Sequence, residues 1–197
     1  MEERGFASAT RLTGEIRDRR IGCLELLDFF VARAERYNPA LNAIVAWQVA
    51  RARERARAAD AALARGEVWG PLHGVPMTVK ESFNVAGLPT TFGNPLWKDN
   101  IAKGNAVVTD RLLQAGAIVF GKTNVPYMLM DSQSYNDIHG RRTTPGTSRA
   151  GRADRRAARL RCWPPGCPLW ARAATLPDHC AILLITAAFM AISRAGA

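Results

Sequence analysis

Apolar residues recur along this chain in two alternating rhythms, a helical one and short unbroken runs. Thr10 to about Arg19 reads as a short helix. In Cys23 to Arg36, the residues Leu24, Leu27, Val31 and Ala34 return at helical spacing with Phe30 beside them, which predicts a second helix. Asn38-Pro39 is expected to stop it, since proline carries no N–H and its ring crowds the preceding turn. Leu41 to Trp47 (LNAIVAW) is short and apolar, so a buried strand is expected. Gln48 to Arg65, rich in Ala and Arg, reads as a solvated helix ended by Gly66. Arg51, Arg53, Arg55 and Arg57 belong to its wet face, because Glu54 and Asp60 interrupt any anion surface. Pro71 to Val79 (PLHGVPMTV) is a turn entering a strand. Asn105 to Ala115 is a helix with Val108, Leu112 and Ala115 on one side and Gly116 as its stop, and Ala117 to Phe120 is a further buried strand. Helices alternating with short apolar strands predict an α/β fold whose sheet is covered on both faces.

The rhythm ends after Gly140. From Arg141 onward no sustained period of either kind appears, and the apolar run Ala181 to Ile192 has no polar face. Charge changes at the same place. Residues 1–140 hold 17 Lys+Arg against 15 Asp+Glu, whereas residues 141–197 hold 10 Arg, no Lys and 2 Asp. The net charge of +10 therefore sits mostly in the tail, and the chain divides into residues 1–140, one domain's worth of patterned text, and 141–197, an Arg-rich segment outside it. Ala181–Ile192 is too short to span a bilayer, and the N-terminus (MEERGFASATRL) lacks the apolar core of a secretory signal. Cysteines at 23, 162, 167 and 180 form no disulfide framework, so a cytoplasmic setting is expected. The spacing of Cys162, Cys167, His179 and Cys180 is wrong for zinc, and the isolated His73 and His139 carry no metal pattern.

Chemistry concentrates between Leu72 and Asn136. LHGVPMTVKESFNVAGLPTTFG contains a strand ending in Val79-Lys80-Glu81 and a Gly87-Leu88-Pro89-Thr90-Thr91 turn. Further on, AGAIVFGKTNVPYMLMDSQSYN contains Gly121-Lys122-Thr123-Asn124, read as a turn, and then Pro126. With Asn38-Pro39-Ala40-Leu41-Asn42-Ala43 as a weaker match, this ordered set resembles the amidase-signature family over roughly residues 8 to 140. The resemblance implies the N-terminal part of an incomplete mixed sheet covered by helices. It implies hydrolysis of the C–N bond of a small amide by a Ser–cis-Ser–Lys triad, without metal or organic cofactor. Lys80 matches the family's catalytic lysine. A lysine acts as a base only when neutral, so its site must disfavour the ammonium, and the end of the apolar Val75–Val79 strand is expected to do so. The neutral amine would draw a proton through the bridging serine and so activate the nucleophilic one, while loop N–H groups hold the oxyanion. Lys122, in a turn that is structural in the family, reads as a surface or loop-bracing residue.

The family pattern continues with TTNNPWD, PGGSSGG and DIGGS, and these carry both serines. None is present; residues 143–147 are Thr-Thr-Pro-Gly-Thr. Ser132, Ser134 and Ser148 stand outside the motif context and are not expected to be nucleophiles. Joining each codon's third base to the next codon's first two, starting from the third base of Arg142, permits NNPWD across Thr143–Thr147. It also permits PGGSSGG from Gly151–Ala158, DIAGSLR from Ala174–Ala181 and HYCGVYGHKP from Leu184–Arg194. The motifs arise in family order and spacing, so a single-base deletion near Gly140/Arg141 accounts for the tail, and a truncated, inactive amidase is expected. The alternative is a basic-tailed nucleic-acid or partner-binding module. It has ten arginines in its favour, and against it the lack of interleaved aromatics or a recognisable motif, so no specific nucleic acid and no membrane partner is expected. Oligomeric state is left open.

Overall fold

The computed structural model describes residues 2–131 and 133–143. Ser132 and Ser148, the Cys162/Cys167/His179/Cys180 spacing, the re-read segments beyond Thr143 and the apolar run Ala181–Ile192 lie outside the described residues.

Helix α1 (Ala9–Arg17) starts where the Ser8 hydroxyl accepts from the Arg11 N–H, and it buries Leu12 and Ile16. Helix α2 (Cys23–Leu41) has Gly22 at its N-cap, which offers no side chain. The Asp60 carboxylate, from another helix, accepts from Cys23 N–H (2.7 Å) and Leu24 N–H (3.1 Å) instead. The expected stop at Asn38-Pro39 is not observed, for α2 runs through Pro39 to Leu41. Proline removes one donor close to the end of the helix, and the turn still closes through Asn42 N–H to Asn38 O at 2.7 Å, with Asn42 left-handed as the cap. Asn38 also accepts from Ala43 and Ile44 N–H through its side chain and leads the chain into β1 (Ile44–Trp47).

Helix α3 (Val49–Ala64) is not wet all round. It buries Ala52, Ala56, Ala59 and Ala62, a stripe of small residues packed against α2. Strand β2 (Pro76–Lys80), helix α4 (Val107–Gln114) and strand β3 (Ile118–Thr123) complete the main body, and a short hairpin of β4 (Tyr135–Asn136) and β5 (Gly140–Arg141) follows. Gly116 ends α4 at φ +96°, with an added Cβ placed 2.8 Å from the His73 backbone.

The sheet has the order β1-β3-β2, with β1 antiparallel and β2 parallel to β3, so it is mixed as the family resemblance implies. One face packs on α1, α2 and α3 through Ile16, Leu26, Leu27, Val31, Ile118 and Phe120. The other packs on α4 and the segment after β2 through Met77, Val79, Val85, Leu112 and Val119. Full burial of each large aliphatic side chain contributes about 1.5–3 kcal/mol.

Strand β3 extends beyond the expected Phe120 to Thr123, so Lys122 and Thr123 are strand residues and not a turn. Register jumps between β2 and β3: Met77 pairs with Val119 but Thr78 with Gly121, which leaves Phe120 as an extra, bulged residue. Beyond the bulge, Val79 pairs with Lys122 and Lys80 with Thr123. Paired residues of neighbouring strands share a face, so Lys122 joins the α4 face, while Lys80 and Thr123 join the α2 face with Ile44 and Trp47.

Candidate active site

Lys80 is the last residue of β2, at the C-terminal end of a parallel strand pair, where α/β sheets present ligand-binding groups. It is half-buried and not enclosed as the sequence led one to expect. Five residues of β2 carry it only to the sheet's rim. Its ammonium has no hydrogen bond or ion pair among the described residues, so the head is free to meet a reacting group.

The next residue points to the opposite face. Glu81 is fully buried, and its carboxylate accepts from Thr91 N–H at 2.5 Å and Phe92 N–H at 3.0 Å. Those donors belong to a turn in which Phe92 sits at φ +52° and Gly93 N–H donates to Thr91 Oγ1. Lys122, the residue closest in type to Lys80, lies beneath the same turn. It is fully buried and donates from Nζ to Pro89 O at 2.5 Å and to Thr90 Oγ1 at 2.8 Å. Burial pulls its pKa down to about 8, with the nearby Glu81 carboxylate opposing. The surface placement expected for Lys122 is therefore overturned and its loop-bracing role observed. The bulge at Phe120 turns the side chain inward, and the 81–94 segment closes over it. A desolvated lysine is what base chemistry asks for, yet Lys122 spends its donors on the loop. The two lysines stand on opposite faces of one sheet.

His139 packs near this cluster with Nε2 enclosed and unpartnered among the described residues. Burial lowers its pKa, the Glu81 charge raises it and the Lys122 charge lowers it further. His73 lies elsewhere, fully buried; its Nδ1 accepts from Trp69 N–H at 3.1 Å, and burial again lowers its pKa. Among the described residues, no group of three His, Cys, Asp or Glu side chains is placed to hold a metal, and no helix is long and apolar enough to cross a membrane. Ser134 precedes the β4–β5 hairpin and its carbonyl accepts from Arg142 N–H, a structural contact. The sequence reading missed the Glu81–Lys122–Thr90 cluster and Thr123. Alternation along β2 is a signal that Glu81 must leave the face of Lys80. Gly121, a glycine inside a strand, is a local sign of the bulge that buries Lys122, but which face the bulge turns inward is set by the pairing with β2.

Arg51 and Arg57 are exposed, as a solvated face requires, and three of the four arginines also have partners. Arg51 donates to Ala86 O, Arg53 pairs with Asp28, and Arg55 donates to Ala117 O and Leu113 O while its guanidinium lies 4.9 Å from the Trp69 ring centroid.

The Amidase family profile matches residues 25–150. An acylamidase of Rhodococcus erythropolis is 42% identical over 142 residues, covering 68% of this chain and 29% of the relative. An indoleacetamide hydrolase of Bradyrhizobium diazoefficiens is 38% identical over 138 residues, covering 70% of this chain and 26% of the relative. Among solved structures, a fatty acid amide hydrolase superposes with a TM-score of 0.68 at 28% identity, covering 71% of this chain and 25% of that one. The chain thus spans less than a third of the length of these relatives. With the motif text in order from Lys80 to Asn124 and a mixed sheet matching amidase structures over the described part, this chain belongs to the amidase family of amidase-signature enzymes.

Proposed function

We propose that this chain carries the lysine part of an amidase active site, with Lys80 as the base that takes up the serine proton. The complete enzyme would cleave the C–N bond of a small linear amide in the cytoplasm, without metal or organic cofactor. The observation that carries this reading is the position of Lys80: at the C-terminal rim of β2, half-buried, its head unpaired among the described residues. Acylamidase, indoleacetamide hydrolase and fatty acid amide hydrolase relatives all act on amides, which supports the substrate class. In the proposed step the nucleophilic serine gives its proton through the bridging serine to Lys80 and attacks the carbonyl. The proton then returns to the leaving amine.

Neither serine motif occurs in the amino-acid sequence, and we attribute this to out-of-frame text from about Arg141. The chain as written is then expected to show negligible turnover on acyl and aryl amides. Sequencing the DNA across the codons for His139 to Thr147 tests the frame, and adding one base should restore PGGSSGG and DIAGS text. In the restored enzyme, Lys80→Ala is expected to lower kcat by about 10²–10⁴, the usual contribution of a positioned base. Measurable turnover by the chain as written that is lost on Lys80→Ala would refute its inactivity, and an unchanged kcat for Lys80→Ala in the restored enzyme would overturn the role of Lys80 as base.

A further inference from the structure

Thr123 stands in register with Lys80 on the adjacent parallel strand, about 4.8 Å away in the sheet's hydrogen-bonding direction and on the same face. The backbone ties the two together, because Glu81 N–H donates to Thr123 O at 2.9 Å, immediately after Lys80. Thr123 is 9% exposed, and its Oγ1 is enclosed without a hydrogen-bond partner among the described residues. A buried hydroxyl left unpaired costs about 1–3 kcal/mol, so its retention in a closely packed strand asks for a partner. Ile44, in register on the other side, is apolar and offers none. Glu81, Lys122 and the Thr90 hydroxyl lie on the opposite face and are occupied with one another and the loop. The polar head nearest in register is Lys80, itself unpaired among the described residues.

We propose that Thr123 is a positioning residue for Lys80, its hydroxyl oxygen accepting a hydrogen bond from the Lys80 ammonium. The proposal rests on the reading of Lys80 as the base. The two groups are not bonded in the structure, and the flexible four-carbon stem of Lys80 lets its head swing onto the hydroxyl. One N–H held by Thr123 fixes the direction of the others, and of the lone pair once the proton has left. A head that otherwise explores many rotamers is thereby aimed away from the sheet.

The test uses the chain itself and needs no turnover. The sequence has lysines only at 80, 98, 103 and 122, so the acetylation rate of each can be followed by peptide mass spectrometry at pH 8 with acetic anhydride as probe. Lys98 and Lys103 are exposed and serve as internal standards, while the buried Lys122 reports any loss of fold. Thr123→Val keeps the shape and removes the acceptor. It is expected to raise the Lys80 rate at least about threefold relative to Lys98 and Lys103, since a charge-assisted hydrogen bond no longer withholds the amine. Thr123→Ser is expected to restore the wild-type rate. An unchanged Lys80 rate in Thr123→Val with Lys122 still protected overturns the proposal, as does equal acceleration by Val and Ser. Should Val expose Lys122, Thr123→Ala is read by the same criteria. Because no substrate is involved, this outcome is separate from the effect of Lys80→Ala on amide turnover, which tests the base itself.

Discussion

Replacing Lys122 by Met removes a buried cation while keeping an unbranched chain of similar length. Two acceptors then lose their donor in a dry site, Pro89 O and Thr90 Oγ1. Each orphaned acceptor costs about 1–3 kcal/mol. The buried Glu81 carboxylate loses its neighbouring cation but keeps the Thr91 and Phe92 N–H groups. Against this stands the relief of no longer burying an ammonium, the same desolvation that brings the Lys122 pKa down to about 8. The losses overlap, so the net expectation is about 2–4 kcal/mol, a large share of a typical domain's ~5–15 kcal/mol. Urea unfolding followed by tryptophan fluorescence at pH 7 measures it. The pH dependence supplies a second check with a definite sign. The folded pKa of Lys122 lies below the ordinary lysine value, so between about pH 8 and pH 10.5 the unfolded chain holds more protons. The Lys122 contribution is then fully present above that window and is lost as pH falls through it. The stability gap between wild type and Lys122→Met should therefore widen from pH 8 to pH 10.5. A variant within about 0.5 kcal/mol of wild type at pH 7, or a gap that narrows as pH rises, would refute the reasoning.

Other perturbations reach different parts of the fold. Gly74 sits at φ +74°, and a Cβ there would lie 2.2 Å from Cys23 Sγ. Gly74→Ala is expected to cost about 2–4 kcal/mol through strain and overpacking, read as a lowered thermal midpoint that Cys23→Ala partly recovers. Arg55→Ala should cost about 2 kcal/mol by freeing Ala117 O, Leu113 O and the Trp69 face, and an unchanged midpoint would argue against these contacts holding α3 in place. Burial lowers the pKa of both His73 and His139, so their contribution to stability is present above about pH 6.5 and lost as pH falls below it. His73→Gln with His139→Gln should flatten the change in urea midpoint between pH 7.5 and pH 5.5, and an unaltered slope would count against this assignment.

The local signals read well where the chemistry is local. The periodicities of α1, α2, α3 and α4 and the apolar runs of β1, β2 and β3 were legible, as was the motif text that carries Lys80. Boundaries were less so. Pro39 announced a stop, but the turn closed around it because Asn38 and Asn42 supplied the missing contacts. The N-terminus of α2 is capped by Asp60, far along the chain on α3, which no inspection of Gly22 and Cys23 could reveal.

The amino-acid sequence by itself determined the family, the alternation of helices and strands, and the candidacy of Lys80, since each rests on residue types at short, fixed spacing. Only the tertiary structure decided which lysine is buried and which is presented. That choice depends on the bulge at Phe120, a mismatch between β3 and a strand remote in sequence. The bulge rotates Lys122 under the Pro89–Phe92 turn and leaves Lys80 beside Thr123 at the rim. A strand's own alternation sets which side chains share a face, but the face that meets the core is set by its partners.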